Sequence, residues 1–412
     1  MLLHFKQIVL AVLLMGLIAG ARPSGVQGAQ LADQSWEQIT TAARGQTVDW
    51  FMWGGSPAVN AYVNGYLAPR LKELYQVTLR QVPVKDIAEI VGKLVVEKQA
   101  GKTGGGQVDL MWINGENFRT AKRNGLLFGP FARKLPNLKW VDLSKPSVAN
   151  DFGEPVEGLE SPWGSAQVVF HYDTARLASP PRSMGALVQW IRDHPGRFAY
   201  PAPPDFTGSV FVRHVFYHVA GDVAGWQPPL DEARFSGAAE ATYQLLKSLA
   251  PNLWRQGRTY PESPIRLAHL FADGEVDFAF SYHQAEASRL IKDGLYPHTV
   301  RSFVFEEGTI ANTHFVAIPF NAADRAGAMV VADFLLSPEA QLKKADVDFW
   351  GDFPAIDVSR LAAQWQAKFA QLPRGAATLS NEVLQARQLP ELPSELLIRL
   401  EQGWEQKVLK GR

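Results

Sequence analysis

The chain contains no cysteine. That absence removes disulfides, thiolate metal sites and a lipid tether on a cysteine at a cleavage site, so the fold must be held by its core. Charge bias is also missing: 41 Lys plus Arg balance 41 Asp plus Glu. Nucleic acid or an anionic membrane as partner would call for a basic excess, and there is none. No Gly-x-Ser-x-Gly elbow, Gly-x-x-x-x-Gly-Lys phosphate loop or His-Glu-x-x-His zinc motif occurs, so no familiar catalytic device stands out. There is no fixed-period repeat and no low-complexity tract. After the N-terminus, no apolar run nears the ~18 residues a membrane span needs.

The N-terminus is informative. His4 and Lys6 precede the apolar run "IVLAVLLMGLIAGA", and a polar, Gly-containing stretch, "RPSGVQGAQ", comes after it. This pattern predicts a secretory signal peptide over 1–29, cleaved after small residues near Ala21 or Gly28; the alternative is an uncleaved anchor. The expected location is the periplasm.

A length of 412 residues exceeds what one core commonly serves and predicts two lobes. Strand-like and helix-like stretches alternate. "TVDWFMWGG" reads as a strand, "NAYVNGYLAPRLKELY" as a helix, "QVTLRQVPV" as a strand and "DIAEIVGKLVVEKQAG" as a helix. "VDLMWI" and "ENFRTAKRNGL" continue the series. Such alternation predicts a parallel sheet wrapped by helices. A second set starts at "SAQVVFHYD" and includes strands at "RFAYP", "VDFAFSY" and "THFVAIP". Helices are expected at 323–336, 338–346, 360–372 and 394–409.

The Asn-Gly pair in "VDLMWINGENF" is a hairpin signal only between two alternating strands. Here the residues after it carry helical spacing and charge. The pair is therefore read as a strand-to-helix loop, and in open parallel sheets such loops line the ligand crevice.

Taken in order, "WFMWGG", "VDLMWINGENF", "PWGSAQVVFHYDTARL", "VDFAFSYHQA" and "TIANTHFVAIPFNA" resemble the extracellular solute-binding proteins of ABC importers. Within that group the chain is similar to the YnjB-type branch, which is linked to thiamine-related uptake. The resemblance implies an α/β, two-lobed type II periplasmic binding fold, each lobe a mainly parallel sheet wrapped by helices, with the ligand in the cleft between them. Lobe 1 is expected over 30–162 and 306–358, lobe 2 over 163–305, and C-terminal helices packing on both over 359–412. It further implies no enzyme activity, no cofactor, a small-molecule ligand, an ABC permease with its ATPase in the inner membrane as partners, and a monomer.

A cleft ligand needs a few convergent polar groups and aromatic walls. Trp53, Gly54 and Gly55 end the first strand, where glycine lets backbone approach a ligand and Trp53 offers a ring. Asn114, Gly115, Glu116 and Asn117 end the third; Glu116 suits a cation, although Asn114 as helix cap and Glu116 in a first turn would equally serve the helix. Asp205, Thr207 and Ser209 open a helix whose free N–H groups suit an anion, unless Asp205 or Thr207 caps them. Tyr282 and His283 end a strand of the second lobe. Trp163 and Tyr172 lie near the first crossover, Asn312 and Thr313 near the return, and the loop "DFWGDF" (348–353) is a further candidate.

His214 and His218 share a helix face at zinc spacing, but the helix is apolar and aromatic, so a packed or hydrogen-bonded pair is expected and no metal. No Tyr-Tyr pair is present, which argues against ferric ion. A thiamine-like ligand, cationic and aromatic, would use Trp53, Tyr282 and Glu116, and a phosphorylated form the helix start at 207–209. The alternatives are an exported hydrolase working through cleft carboxylates and a receptor for sugars or oligosaccharides.

Overall fold

A computed structural model describes residues 31, 33–226 and 230–411. The expected signal peptide lies outside the described residues. Among them, no helix is long and apolar enough to cross a membrane.

The first sheet is built around β1 (Thr47–Trp53), whose alternating pattern buries Val48, Trp50 and Met52. It pairs in parallel with β2 (Thr78–Val84) on one side and β3 (Leu110–Ile113) on the other. β10 (Thr309–Ala317) adds antiparallel to β3, and β6 (Glu160–Gln167) adds antiparallel to β10. Between β3 and β6 lies a small hairpin of β4 (Asn150–Asp151) and β5 (Glu154–Pro155). Helices α1 (Trp36–Ala43), α2 (Ala68–Tyr75), α3 (Ala88–Gln99) and α4 (Glu116–Arg123) belong to this lobe. Two-sided burial of the sheet explains the apolar runs in β1 and β3.

The second lobe carries β7 (Val169–Asp173), β8 (Ala279–Ser281) and β9 (Val300–Phe303). Around them pack α5 (Met184–Asp193), α6 (Phe206–Ala220), α7 (Glu232–Leu249) and α8 (Pro264–Ala272) in a separate core. β6 runs through Val168 into β7, and β9 returns through 304–308 into β10. Two neighbouring crossing strands thus join the lobes.

The chain finishes on the first lobe with α9 (Arg325–Leu335), α10 (Pro338–Ala345) and α11 (Ala363–Ala370), then on the second with β11 (Gln388–Leu389) and α12 (Ser394–Trp404). Helix α9 is buried along its whole length, because β1 and β6 meet one side and α1 the other. That is why "RAGAMVVADFL" shows no polar face.

Two details differ from the sequence expectation. The sheet β8-β7-β9 of lobe 2 is antiparallel; parallel pairing is found in the first sheet, β1 with β2 and β3, and β10 with β11. "RFAYP" forms no strand. Phe198 and Tyr200 are buried there, but the Phe198 carbonyl accepts from Trp254 N at 2.8 Å and Ala202 N donates to Pro261 O. Loop partners satisfy this backbone, so apolar content alone did not make a ladder.

Candidate functional site

Parallel pairing places Trp53, Val84 and Ile113 at one edge of the first sheet. The loops leaving them are 54–56, 85–87 and 114–115, at the strand ends where open sheets bind ligands. Trp53 is 41 % exposed there. The two glycines after it have a local purpose. A Cβ on Gly54 would lie 2.4 Å from Pro83, and one on Gly55 would lie 2.4 Å from the Trp53 indole. They let the chain fold over its own neighbours.

Gly115 has φ +63° and is itself the N-cap residue of α4, with no side-chain cap. The expected capping by Asn114 is therefore absent; its side chain is half-buried. Gly115 N donates to the buried Asp151 carboxylate at 2.8 Å, which ties the β4–β5 hairpin to this loop. The next hairpin residue, Phe152, adopts φ +46°, a left-handed conformation that costs a bulky residue about 1–2 kcal/mol. The turn holds the Phe152 ring against lobe 2. Glu116 stands in the first turn of α4. Burial raises its carboxyl pKa; Arg213 opposes this, and Asp86 and Glu391 add to it. Asn117 is half-buried, with its amide 3.5 Å from Glu116 Oε1.

From lobe 2, the start of α6 brings Phe206, which is 39 % exposed. At this helix start the structure shows the capping that was the alternative to an anion site. Asp205 Oδ1 already accepts from Thr207 N at 3.0 Å and Gly208 N at 2.9 Å, and Ser209 N donates to Asp205 O. The first free donors are satisfied by the chain's own carboxylate, which is capping alone. Thr207 and Ser209 are buried, and the Ser209 side chain hydrogen-bonds Glu401.

Two turns along α6, Arg213 is fully buried. Its Nη1 donates to Glu391 Oε2 at 2.7 Å and its Nη2 to Tyr282 Oη at 3.0 Å. Tyr282 Oη donates to Glu391 Oε1 at 2.7 Å, and Asn312 Nδ2 donates to the same oxygen at 2.9 Å. The guanidinium lies 5.6 Å from the Phe152 ring and 5.5 Å from the Phe206 ring. Those two rings meet at 6.1 Å, and Phe206 packs on Tyr282 at 4.8 Å. Phe152 comes from one lobe and Phe206 from the other, so the lobes touch here in a closed arrangement. Arg213 Nε and Asn312 Oδ1 are buried without a hydrogen-bond partner.

The structure therefore brings together Glu116, Ser209, Tyr282 and Asn312, and adds Phe152, Arg213, Glu391 and Glu401, which the sequence reading did not single out. One signal was available for Arg213. It is a charged residue in the apolar helix "GSVFVRHVFYHVAG", and a buried charge demands a partner.

Trp163 and His283 belong elsewhere. Trp163 is fully buried in lobe 1, edge-on to Trp50 at 5.1 Å and Trp112 at 4.9 Å, with Trp350 at 5.2 Å. It is a core residue and presents no face to a ligand. His283 lies 6.3 Å from Trp350, and burial lowers its pKa to about 4, so it is neutral. The 348–353 loop supplies Trp350 and Asp352 to this box, where Asp352 pairs with Lys344 at 2.8 Å. His214 is committed at both nitrogens. Nδ1 donates to Val210 O at 2.8 Å and Nε2 accepts from Ile310 N at 3.1 Å, which joins α6 to β10. His218 is exposed.

With this geometry in hand, comparison with known proteins is direct. The family profile described as bacterial extracellular solute-binding protein matches residues 67–373. Protein YnjB of Escherichia coli (strain K12) is 39 % identical over 369 residues, 90 % of each chain. An ABC transporter structure from Clostridium perfringens ATCC 13124 superposes with TM-score 0.61 at 16 % identity, covering 87 % of this chain and 98 % of that one. A periplasmic thiamin binding protein gives TM-score 0.59 at 18 % identity, covering 88 % and 96 %. Two α/β lobes joined by crossing strands, a crevice at parallel strand ends and these matches lead to one conclusion: the chain belongs to the bacterial extracellular solute-binding proteins, which have the type II periplasmic binding fold and deliver small-molecule ligands to ABC transporters.

Proposed function

We propose that the chain is exported to the periplasm by its N-terminal signal peptide, works there as a monomer, and captures a small organic cation bearing an aromatic ring, of the thiamine class, for an inner-membrane permease and its ATPase. One observation carries the ligand reading: an excess of acid inside a ring-walled cleft. Burial raises the Glu116 carboxyl, with Asp86 and Glu391 adding to it; burial likewise raises Glu401, with Glu116 and Asp86 adding to it; Arg213 is the opposing charge for each. Arg213 is already paired with Glu391. The exposed rings of Phe206 and Trp53 supply faces on which a cationic ring can stack, with half-buried Tyr282 beside Phe206. Uncompensated acids beside aromatic faces favour a cation over a neutral sugar.

Because Asp205 fills the start of α6, the unphosphorylated form should bind at least as well as the phosphate esters. The test is thermal unfolding of the mature protein with thiamine and its phosphates. A ligand at a hundredfold excess over its Kd stabilises by about 2.7 kcal/mol. Stabilisation by thiamine, with no turnover on prolonged incubation, is expected. No shift at millimolar ligand would count against this class, and hydrolysis of the solute would overturn the receptor reading. Glu116→Gln should weaken thiamine by more than about tenfold, since hydrogen bonds and pairs to a charged, partly buried group contribute about 1.5–3 kcal/mol; titration calorimetry with unchanged affinity would remove Glu116 from the site.

A further inference from the structure

We propose that the C-terminal segment is a clasp between the lobes: residues 387–391 bind along the crossing strands, α12 is rooted in lobe 2, and residues 393–395 grip the β4–β5 hairpin and α4 of lobe 1, so that the protein rests closed through its own contacts. The inference concerns lobe motion and stands apart from the identity of the ligand.

The family profile ends at residue 373, so the clasp lies outside the matched region. Its first anchor is the pair of crossing strands. Arg387 O accepts from Thr309 N of β10 at 2.9 Å and from Gln167 Nε2 of β6 at 2.9 Å. One carbonyl thus holds both strands. β11 then runs parallel to β10, with Gln388 opposite Thr309 and Leu389 opposite Ile310. Two residues on, Glu391 accepts from Asn312 of β10 and from Arg213 and Tyr282 of lobe 2.

The second anchor is the core of lobe 2. Leu396, Leu400 and Trp404 of α12 insert into it. Trp404 Nε1 donates to Tyr200 Oη at 3.1 Å, and Tyr243 Oη donates to Leu400 O at 3.2 Å. Helix α12 therefore moves with lobe 2.

The grip on lobe 1 is smaller and polar. Ser394 N donates to Phe152 O at 3.0 Å, and Arg119 Nη2 of α4 pairs with Glu395 Oε2 at 2.6 Å. Gly153 lies so close that a Cβ there would stand 3.3 Å from Pro393. Hairpin and α4 form one unit of lobe 1: Asp151 accepts from Gly115 N at 2.8 Å, and Lys122 of α4 pairs with Glu154 at 3.1 Å. Opening by rotation about the crossing strands carries this unit away from α12. The Ser394 and Arg119 contacts must then release, as must the contact of Phe152 with Phe206.

The sizes of these contacts suit a clasp that opens. Two conformations that interconvert in function differ little in free energy. An exposed ion pair shifts such an equilibrium by up to about fivefold, enough to set the resting population and too little to lock it. Clasp release, rather than encounter with a solute, then becomes the step that admits a ligand.

The test measures the distance between the lobes in the mature protein with no ligand added. The chain contains no cysteine, so spin labels go only where cysteines are introduced. Val96→Cys on α3 with Ile265→Cys on α8 is one pair, and Leu74→Cys on α2 with Ile265→Cys is a second; all three positions are exposed. Pulsed electron paramagnetic resonance should show mainly the closed separation in the otherwise unchanged protein. Arg119→Glu, which faces Glu395 with a like charge, should raise the ratio of open to closed molecules by about fivefold. Glu395→Arg should do the same, and the two substitutions together should restore the original ratio to within about twofold. A mainly open population without these charge changes would overturn the clasp. So would single variants that leave the distribution unchanged, or a double variant as open as the single ones. None of these outcomes touches the cationic-ligand reading, because no ligand is present.

Discussion

Two buried ion pairs lie near the junction of the lobes, and they are built differently. In lobe 1, Lys344 donates to Asp352, Trp163 O and Phe353 O. Three acceptors meet the three N–H groups of an ammonium. Trp163 and Trp350 cover it at 5.6 Å each, and His314 approaches the other Asp352 oxygen at 3.4 Å. Every donor is used and every partner belongs to one lobe. In the cleft, Arg213 and Glu391 are equally buried, but only two of the guanidinium's five N–H groups are in hydrogen bonds and its Nε has none, and its ring walls come from two lobes. A saturated pair fixes architecture. An unsaturated one between two lobes leaves donors for a ligand. Burial of charge therefore does not by itself distinguish the two; completeness of its hydrogen bonding does.

The sharpest way to break the comparison is Lys344→Met. It strands a buried Asp352 and should destabilise by about 3–5 kcal/mol, while ligand affinity of the folded fraction stays unchanged. Denaturant unfolding with and without ligand checks this, and a large affinity loss would mean the aromatic box belongs to the site. Arg213→Met comes next. Tyr282 and Asn312 still hydrogen-bond Glu391, so a smaller loss, about 2–4 kcal/mol, is expected. A cationic ligand should recover more of its Tm than in the wild type, because the cleft then lacks its own cation. Equal ligand-induced shifts in both proteins would contradict the contrast between the two pairs.

The smallest effect concerns Glu401 in the unliganded protein. Its folded-state pKa, about 7, lies above the ordinary value of about 4.3, so the folded state binds more protons between these values. Stability from this group is full below the lower value and is lost as pH rises through the upper one. Glu401→Gln should therefore unfold at a higher temperature than the wild type at about pH 8, with the difference vanishing near about pH 4. A difference that does not change with pH would assign the effect to packing.

Much of lobe 1 was legible because its signals are local. β1 alternates in burial, the glycine of Asn114-Gly115 permits the strand-to-helix turn, and both can be read within a few residues. The antiparallel pairing of lobe 2 was not legible, since nothing within β7 or β8 tells which way its neighbour runs. The site was half legible for a related reason. Glu116 and Tyr282 end strands and stand out as polar groups after apolar runs. Glu391 occupies an unpatterned loop, and its bond to Arg213 spans 178 residues. Phe152 is one aromatic among 23 phenylalanines, and only its left-handed backbone marks it. The choice at the α6 start, cap or anion site, stayed open because sequence cannot show whether a capping carboxylate leaves N–H groups over.

That cap has a consequence for how the receptor would behave among other solutes. A scavenger of scarce organic cations is surrounded by phosphate and sulfate in far greater amounts, and an open helix start inside the cleft would collect them. Asp205 closes that position with an anion the protein never releases. Capture should then run independently of the inorganic anions in the medium, and the competition that matters at the cleft is among cations.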